Sequence, residues 1–309
     1  MFSVIFPGQG SQSVAMGKEF YEKYDFVKDL FKQADEALKI PLSKLILEGP
    51  KEELDLTTNT QPAIFLISYS IFHVIQKEFN INLNRARFFA GHSLGEYTAL
   101  TAANALTFEQ GLSLLSSRGE AMQSAVPLGK GGMSAVLGVD SEDLKKLIKE
   151  NFSEIKCYLA NDNSNGQFIV SGLNKELKKF NLLCLEKKIK NIPLSVSAPF
   201  HCELMRNATV KMERIIKNQE FSELKYNVVS NVTAKKYNGT DEVKKLLIAQ
   251  IEEPVRWRES IQYMISEGTS TFIEIGPGKV LSGLIKRINK EVKVLNIDKV
   301  EDIQIIKND

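Results

Sequence analysis

The stretch Phe88-Phe89-Ala90-Gly91-His92-Ser93-Leu94-Gly95-Glu96-Tyr97-Thr98-Ala99-Leu100 decides the fold. Its apolar start, Arg87 to Ala90, reads as a strand that Gly91 stops, and Leu94 to Ala105 is helix-compatible. The turn between them has the pattern Gly-x-Ser-x-Gly. In that arrangement a strand breaks sharply into a helix and leaves the serine hydroxyl exposed, with small residues where neighbouring backbones crowd the turn. Ser93 is therefore the candidate nucleophile.

Working outward, the same unit recurs. Phe2–Phe6 is a strand stopped by Pro7-Gly8; Thr271–Ile275 runs into Gly276-Pro277-Gly278, a helix over Val280–Ile288 and a strand over Val292–Ile297. Such alternation predicts an α/β domain with a mostly parallel sheet, here α/β-hydrolase-like, with function at its glycine-bearing turns. Ile64–Ile75 reads as a buried helix. The middle of the chain changes rhythm: strand Met133–Val139, helix Ser141–Glu150 capped by its serine, strand Ile155–Ala160, polar loop Asn161–Gly166, strand Gln167–Ser171, helix Asn174–Glu186, strand Ile189–Val196. That β-α-β-β-α-β order, entered through the flexible Gly129-Lys130-Gly131-Gly132 run, is ferredoxin-like. The expected division is a catalytic domain, 1–125 and 198–309, with a ferredoxin-like subdomain, 126–197, inserted into it.

Composition removes several classes. The 309 residues are 43% hydrophobic and 25% charged, ordinary globular usage. A net charge of +2 without a basic block argues against nucleic acid as a partner. Cys157, Cys184 and Cys202 are far apart, so neither a metal site nor a disulfide framework is indicated, and a reducing, cytoplasmic compartment is expected. No leader precedes the first strand, and the apolar part of the longest charge-free stretch, Ala63–Ile75, is too short to cross a bilayer; a soluble chain without membrane contact is expected.

A serine hydroxyl needs a base within hydrogen-bond reach. Of the three histidines, His73 lies in the apolar helix and His92 adjoins Ser93 too closely for in-line contact, so it reads as a turn or pocket-wall residue. His201 remains, and the order serine then histidine suits serine enzymes of α/β type. No aspartate lies close before His201, so either a distant acid or a backbone carbonyl orients the ring. The turn Pro7-Gly8-Gln9-Gly10-Ser11-Gln12 lacks the lysine ending of a phosphate loop. It reads either as an ordinary strand-to-helix loop or as the source of a second oxyanion-hole N–H beside that of Leu94.

Taken together, Phe6-Pro7-Gly8-Gln9-Gly10-Ser11-Gln12, the Gly91–Leu100 block, Phe200-His201, Pro254-Val255-Arg256-Trp257 and Glu274-Ile275-Gly276-Pro277-Gly278-Lys279-Val280-Leu281 resemble the malonyl-CoA:acyl carrier protein transacylase family. The acyltransferase domains of fatty acid and polyketide synthases belong to the same family. The likeness runs from about Phe2 to Ile288 with the blocks in order. It implies ping-pong transfer of a malonyl group from a coenzyme A thioester to acyl carrier protein through a malonyl-Ser93 intermediate, supplying chain-extender units for fatty acid synthesis. It gives Gln9 and Leu94 the oxyanion hole and makes the Gln250 backbone carbonyl the partner of His201. It casts Arg118 as the group that binds the substrate carboxylate, which a guanidinium fork does bidentately and a lysine cannot. His92, Phe200 and Asn163 complete the expected substrate-binding set, with phenylalanine before the histidine favouring malonyl over methylmalonyl. Asp162 departs from the aromatic or larger residue common in its loop. No cofactor and no metal are expected, and a monomer is.

Two rivals share these residues: a serine esterase or thioesterase that admits water to the acyl-enzyme, and a non-catalytic scaffold. Arg118 and a roofing subdomain favour transfer over hydrolysis, and a complete site argues against the scaffold. Because acyl carrier proteins are acidic, Lys187, Lys188 and Lys190 are candidates for a docking surface.

Overall fold

The computed structural model describes residues 1–196 and 198–307, so Ser197, at the expected subdomain boundary, and the chain end lie outside the described residues. The strands among them are β1 (Phe2–Phe6), β2 (Phe89–Gly91), β3 (Gly131–Leu137), β4 (Cys157–Ser164), β5 (Gln167–Leu173), β6 (Lys190–Pro193), β7 (Thr271–Ile275) and β8 (Lys293–Ile297). They form two sheets.

The first sheet has the order β2-β1-β7-β8 with every neighbouring pair parallel. Val4, Ile5 and Phe6 of β1 are wholly buried, as the central strand of a sheet covered on both faces requires. The helix Thr57–Lys77, apolar almost all round, is one of the covers. Its Phe72 meets Phe6 and Phe89 edge-on at 5.9 and 6.1 Å, so one ring fixes the helix to both strands. The turns that leave β1, β2 and β7 then touch. A Cβ on Gly8 would lie 2.6 Å from the His92 carbonyl oxygen, one on Gly95 2.4 Å from that of Phe6, and one on Gly276 2.8 Å from Pro7. Glycine there lets three turns converge at the carboxyl edge of the sheet.

The second sheet is antiparallel with the order β4-β5-β3-β6, the ferredoxin-like arrangement. Its helices, Ser141–Asn151 and Asn174–Glu186, close a separate small core around Val136, Leu144, Phe168 and Phe180.

Several local expectations are corrected. The polar Asn161–Ser164 segment is not loop but the bulged end of β4, pairing with β5 on one side and bridging Val255 on the other. The strand expected at Ile189–Val196 shrinks to β6. Asp140, not Ser141, caps its helix, its side chain accepting from the Glu142 N–H at 3.0 Å. Gly131 and Gly132 are paired residues of β3 rather than a flexible entry. A Cβ on Gly131 would stand 2.4 Å from Pro199, so that glycine admits the segment leading to His201. Asp162 is anchored: Arg258 Nε and Nη2 donate to its two carboxylate oxygens at 2.8 and 2.6 Å, tying β4 to the helix Trp257–Ser266. No helix among the described residues is long and apolar enough to cross a membrane.

Candidate active site

Ser93 sits between β2 and the helix Gly95–Ala102 with φ +54°, a left-handed backbone that a residue with a Cβ adopts only when its surroundings impose it. The flanking glycines are obligatory, since a Cβ on Gly91 would lie 2.0 Å from the Gly95 carbonyl. Asn231 imposes the conformation from outside: its Oδ1 accepts the Ser93 N–H at 2.7 Å and its Nδ2 donates to the Gly91 carbonyl at 2.8 Å. Gln250 Nε2 donates to the Ser93 carbonyl at 3.0 Å. Both backbone groups of the nucleophile are thereby held.

His201 Nε2 lies 2.9 Å from Ser93 Oγ, and its Nδ1–H donates to the Gln250 carbonyl at 2.8 Å. That second bond fixes the tautomer, leaving the Nε2 lone pair toward the serine. The alternatives left open by the sequence resolve here: a main-chain carbonyl, not a carboxylate, orients the ring. Burial, and then the nearby Arg118, push the imidazole down to about 3, so it is neutral at physiological pH and can take a proton.

Arg118 projects from the helix Phe108–Ser124 and is 1% exposed. Its Nη2 donates to Ser93 Oγ at 3.1 Å and to Gln250 Oε1 at 2.8 Å, while Nη1 donates to Gln61 Oε1 at 2.8 Å. All three partners are neutral, and burial lowers the guanidinium from its ordinary value. A buried cation beside a nucleophile, with neutral hydrogen-bond partners only, is chemically suited to receive an anion.

Leu94, first after the nucleophile, and Gln9, in the turn after β1, belong to the touching turns. Neither N–H meets a protein acceptor among the described residues, so both are free to donate to a bound group. His92 turns away from Ser93 Oγ: its Nε2 bonds Asn163 Oδ1 at 2.8 Å and its ring packs on Trp257 at 5.6 Å. It links the elbow to β4 and is neutral, pushed down to about 4 by burial. Phe200 is 6% exposed, and its carbonyl accepts from Ser171 Oγ at 2.6 Å, which ties the His201 segment to β5.

Comparisons with known proteins give the family. The family profile described as "acyl transferase domain" matches residues 3–306. The malonyl CoA-acyl carrier protein transacylase of Bacillus subtilis (strain 168) is 45% identical over 303 residues, covering 97% of this chain and 94% of the relative. The chain belongs to the acyl transferase domain family. Among solved structures, this acyl transferase superposes on the acyl-carrier-protein S-malonyltransferase of Bartonella henselae with TM-score 0.95 at 36% identity, over 99% of this chain and 98% of that one. A malonyl-transacylase solved with its type II PKS acyl-carrier protein gives TM-score 0.95 at 34% identity, over 100% and 99% of the two chains.

Four residues of the acyl transferase site carried no signal in the sequence reading: Gln61, Glu96, Asn231 and Tyr237. Glu96 had the best chance of notice, an acid three residues past the nucleophile on a helix whose residues are all buried. Lys187, Lys188 and Lys190 are exposed at the start of β6, the edge strand opposite β4.

Proposed function

We propose that the chain transfers a malonyl group from malonyl-CoA to the phosphopantetheine thiol of acyl carrier protein in two half-reactions through Ser93. The observation that carries the reading is Arg118, buried with neutral partners and 3.1 Å from the nucleophile's oxygen. A neutral acyl group gains nothing from that cation, whereas a malonyl carboxylate meets a bidentate partner where the thioester must react. The relatives named for malonyl transfer support the same substrate.

In this reading the malonyl carboxylate docks on Arg118, which brings the thioester carbon to Ser93 Oγ. Attack forms the C–O bond as the hydroxyl proton passes to His201 Nε2, and the N–H groups of Leu94 and Gln9 receive the oxyanion. Collapse breaks the C–S bond and His201 returns the proton to the departing coenzyme A sulfur. The carrier's thiol then gives its proton to the same nitrogen and attacks the malonyl-serine; collapse breaks the C–O bond, and His201 returns that proton to Ser93 Oγ. Neutral His201 suits both directions, because it must be a base at the start of each half-reaction.

The test is product analysis with malonyl-CoA in the presence and absence of holo acyl carrier protein. Malonyl-carrier thioester formed far faster than free malonate supports transfer. Malonate released at one rate whether or not the carrier is present would make the chain a hydrolase.

A further inference from the structure

Glu96 is a carboxylate buried under the nucleophile that the reaction above does not use. It is wholly inaccessible, and its contacts are donors: the Asn231 N–H gives to Oε2 at 3.1 Å, Gln250 Nε2 gives to Oε2 at 2.6 Å, and the Tyr237 hydroxyl gives to Oε1. Three donors on two oxygens suit the ionised form. These donors come from the 230–237 segment and from Gln250; the nearest cation is Arg118, and Tyr97 is the neighbouring group on its own helix.

Gln250 carries the effect of Glu96 into the site. Its Nε2 meets two acceptors, Glu96 Oε2 and the Ser93 carbonyl, which fixes the amide so that Oε1 faces Arg118 Nη2. The main chain of the same residue holds His201. The negative charge that balances Arg118 thus stands one amide away. A carboxylate paired directly with the guanidinium would occupy the fork an acyl carboxylate needs, and no counter-charge at all would leave a buried cation uncompensated.

We propose that Glu96 is a positioning residue for acyl groups bearing a carboxylate: ionised, it locks the Gln250 amide, and through that amide it aims and balances the Arg118 guanidinium without competing for its fork. This rests on the reading of Arg118 as the carboxylate's partner. Burial raises Glu96 to about 7, so the lock is open to protonation near neutrality, whereas His201, at about 3, is not protonated there. The sign follows: malonyl selectivity falls as pH drops through about 7.

The experiment measures kcat/KM for acyl loading of Ser93 from malonyl- and acetyl-N-acetylcysteamine, donors without a titrating phosphate, across about pH 5–9. It uses the full chain, Glu96→Gln and Glu96→Asp, with circular dichroism to show folding. For the unsubstituted chain the malonyl profile falls on the acid side while the acetyl profile stays level. Glu96→Gln lowers malonyl kcat/KM about 10- to 100-fold, mostly through KM, and removes the acid limb. Glu96→Asp keeps the limb and recovers part of the rate. Equal losses on both donors, or a Glu96→Gln protein with an unchanged malonyl-to-acetyl ratio, would overturn the proposal. If Glu96→Gln does not fold, the unsubstituted chain decides, since a malonyl limb shared by acetyl or absent overturns it. A chain that loads neither donor at any pH defeats the underlying reading instead, and that outcome is distinct.

Discussion

Arg118→Met is the most informative single change, because methionine keeps much of the side chain's volume while deleting its charge and donors. The deletion strands three acceptors, Gln61 Oε1, Gln250 Oε1 and Ser93 Oγ, and leaves an incoming malonyl carboxylate buried without a cation. Each charged hydrogen bond is worth about 1.5–3 kcal/mol, and removing one partner of a buried ion pair costs about 3–5 kcal/mol. At about 1.4 kcal/mol per decade, malonyl-CoA loading falls about 100- to 3,000-fold in kcat/KM. Acetyl-CoA loses only the help given to Ser93 Oγ, about tenfold or less. Rapid-quench measurement of acyl-serine formation from the two donors reads the ratio directly. Arg118→Lys restores a charge but not a fork, and recovers malonyl loading only in part. If Arg118→Met slows both donors equally, the cation is not a carboxylate receptor and the argument for malonyl fails.

Further consequences follow from the same structure. His73, His92 and His201 are pushed down to about 4, about 4 and about 3, while Glu96 is pushed up to about 7. Between roughly pH 4.5 and 6.5 the unfolded chain therefore binds three protons that the folded chain refuses, against those the folded chain holds on Glu96 and in part on Glu274 and Asp298, whose carboxyls burial also raises, so stability rises with pH by less than about 2.7 kcal/mol per unit; a Tm that is level or falls with pH over that window contradicts this. Gly131→Ala drives a Cβ to 2.4 Å from Pro199 and should lower stability by about 1–3 kcal/mol and displace His201, seen as a lower Tm and slower acyl loading. Charge reversal at Lys187, Lys188 and Lys190 raises the apparent KM for carrier protein several-fold with malonyl-CoA loading intact; an unchanged KM removes these lysines from the docking surface.

What the sequence disclosed divides by physical range. The elbow was legible because much of its requirement is local: a Cβ on Gly91 would strike the Gly95 carbonyl, a constraint written within five consecutive residues, while Gly95 must stay small for a distant neighbour, the Phe6 carbonyl. His201 came from elimination among three histidines. Arg118 and Gln250 came from the family likeness, because nothing nearby marks a helix arginine as buried beside a serine 25 residues away. The Glu96 network was illegible for a stronger reason. Its bonds join residues 135 to 154 positions apart, and buried polar groups are satisfied by tertiary partners that no local pattern specifies. The same cause misplaced the end of β4. Asn161 to Ser164 are polar enough to read as loop, yet they are buried because Val255, Trp257 and Arg258 close over them, with His92 bonded to Asn163.

Intact-protein mass spectrometry after brief mixing with malonyl-CoA, then with holo acyl carrier protein, tests the central claim most directly. The account predicts one malonyl adduct on the chain, absent from Ser93→Ala, that disappears as the carrier protein gains the same mass. An adduct that persists in Ser93→Ala, or one that decays at the same rate whether or not the carrier is added, would contradict it.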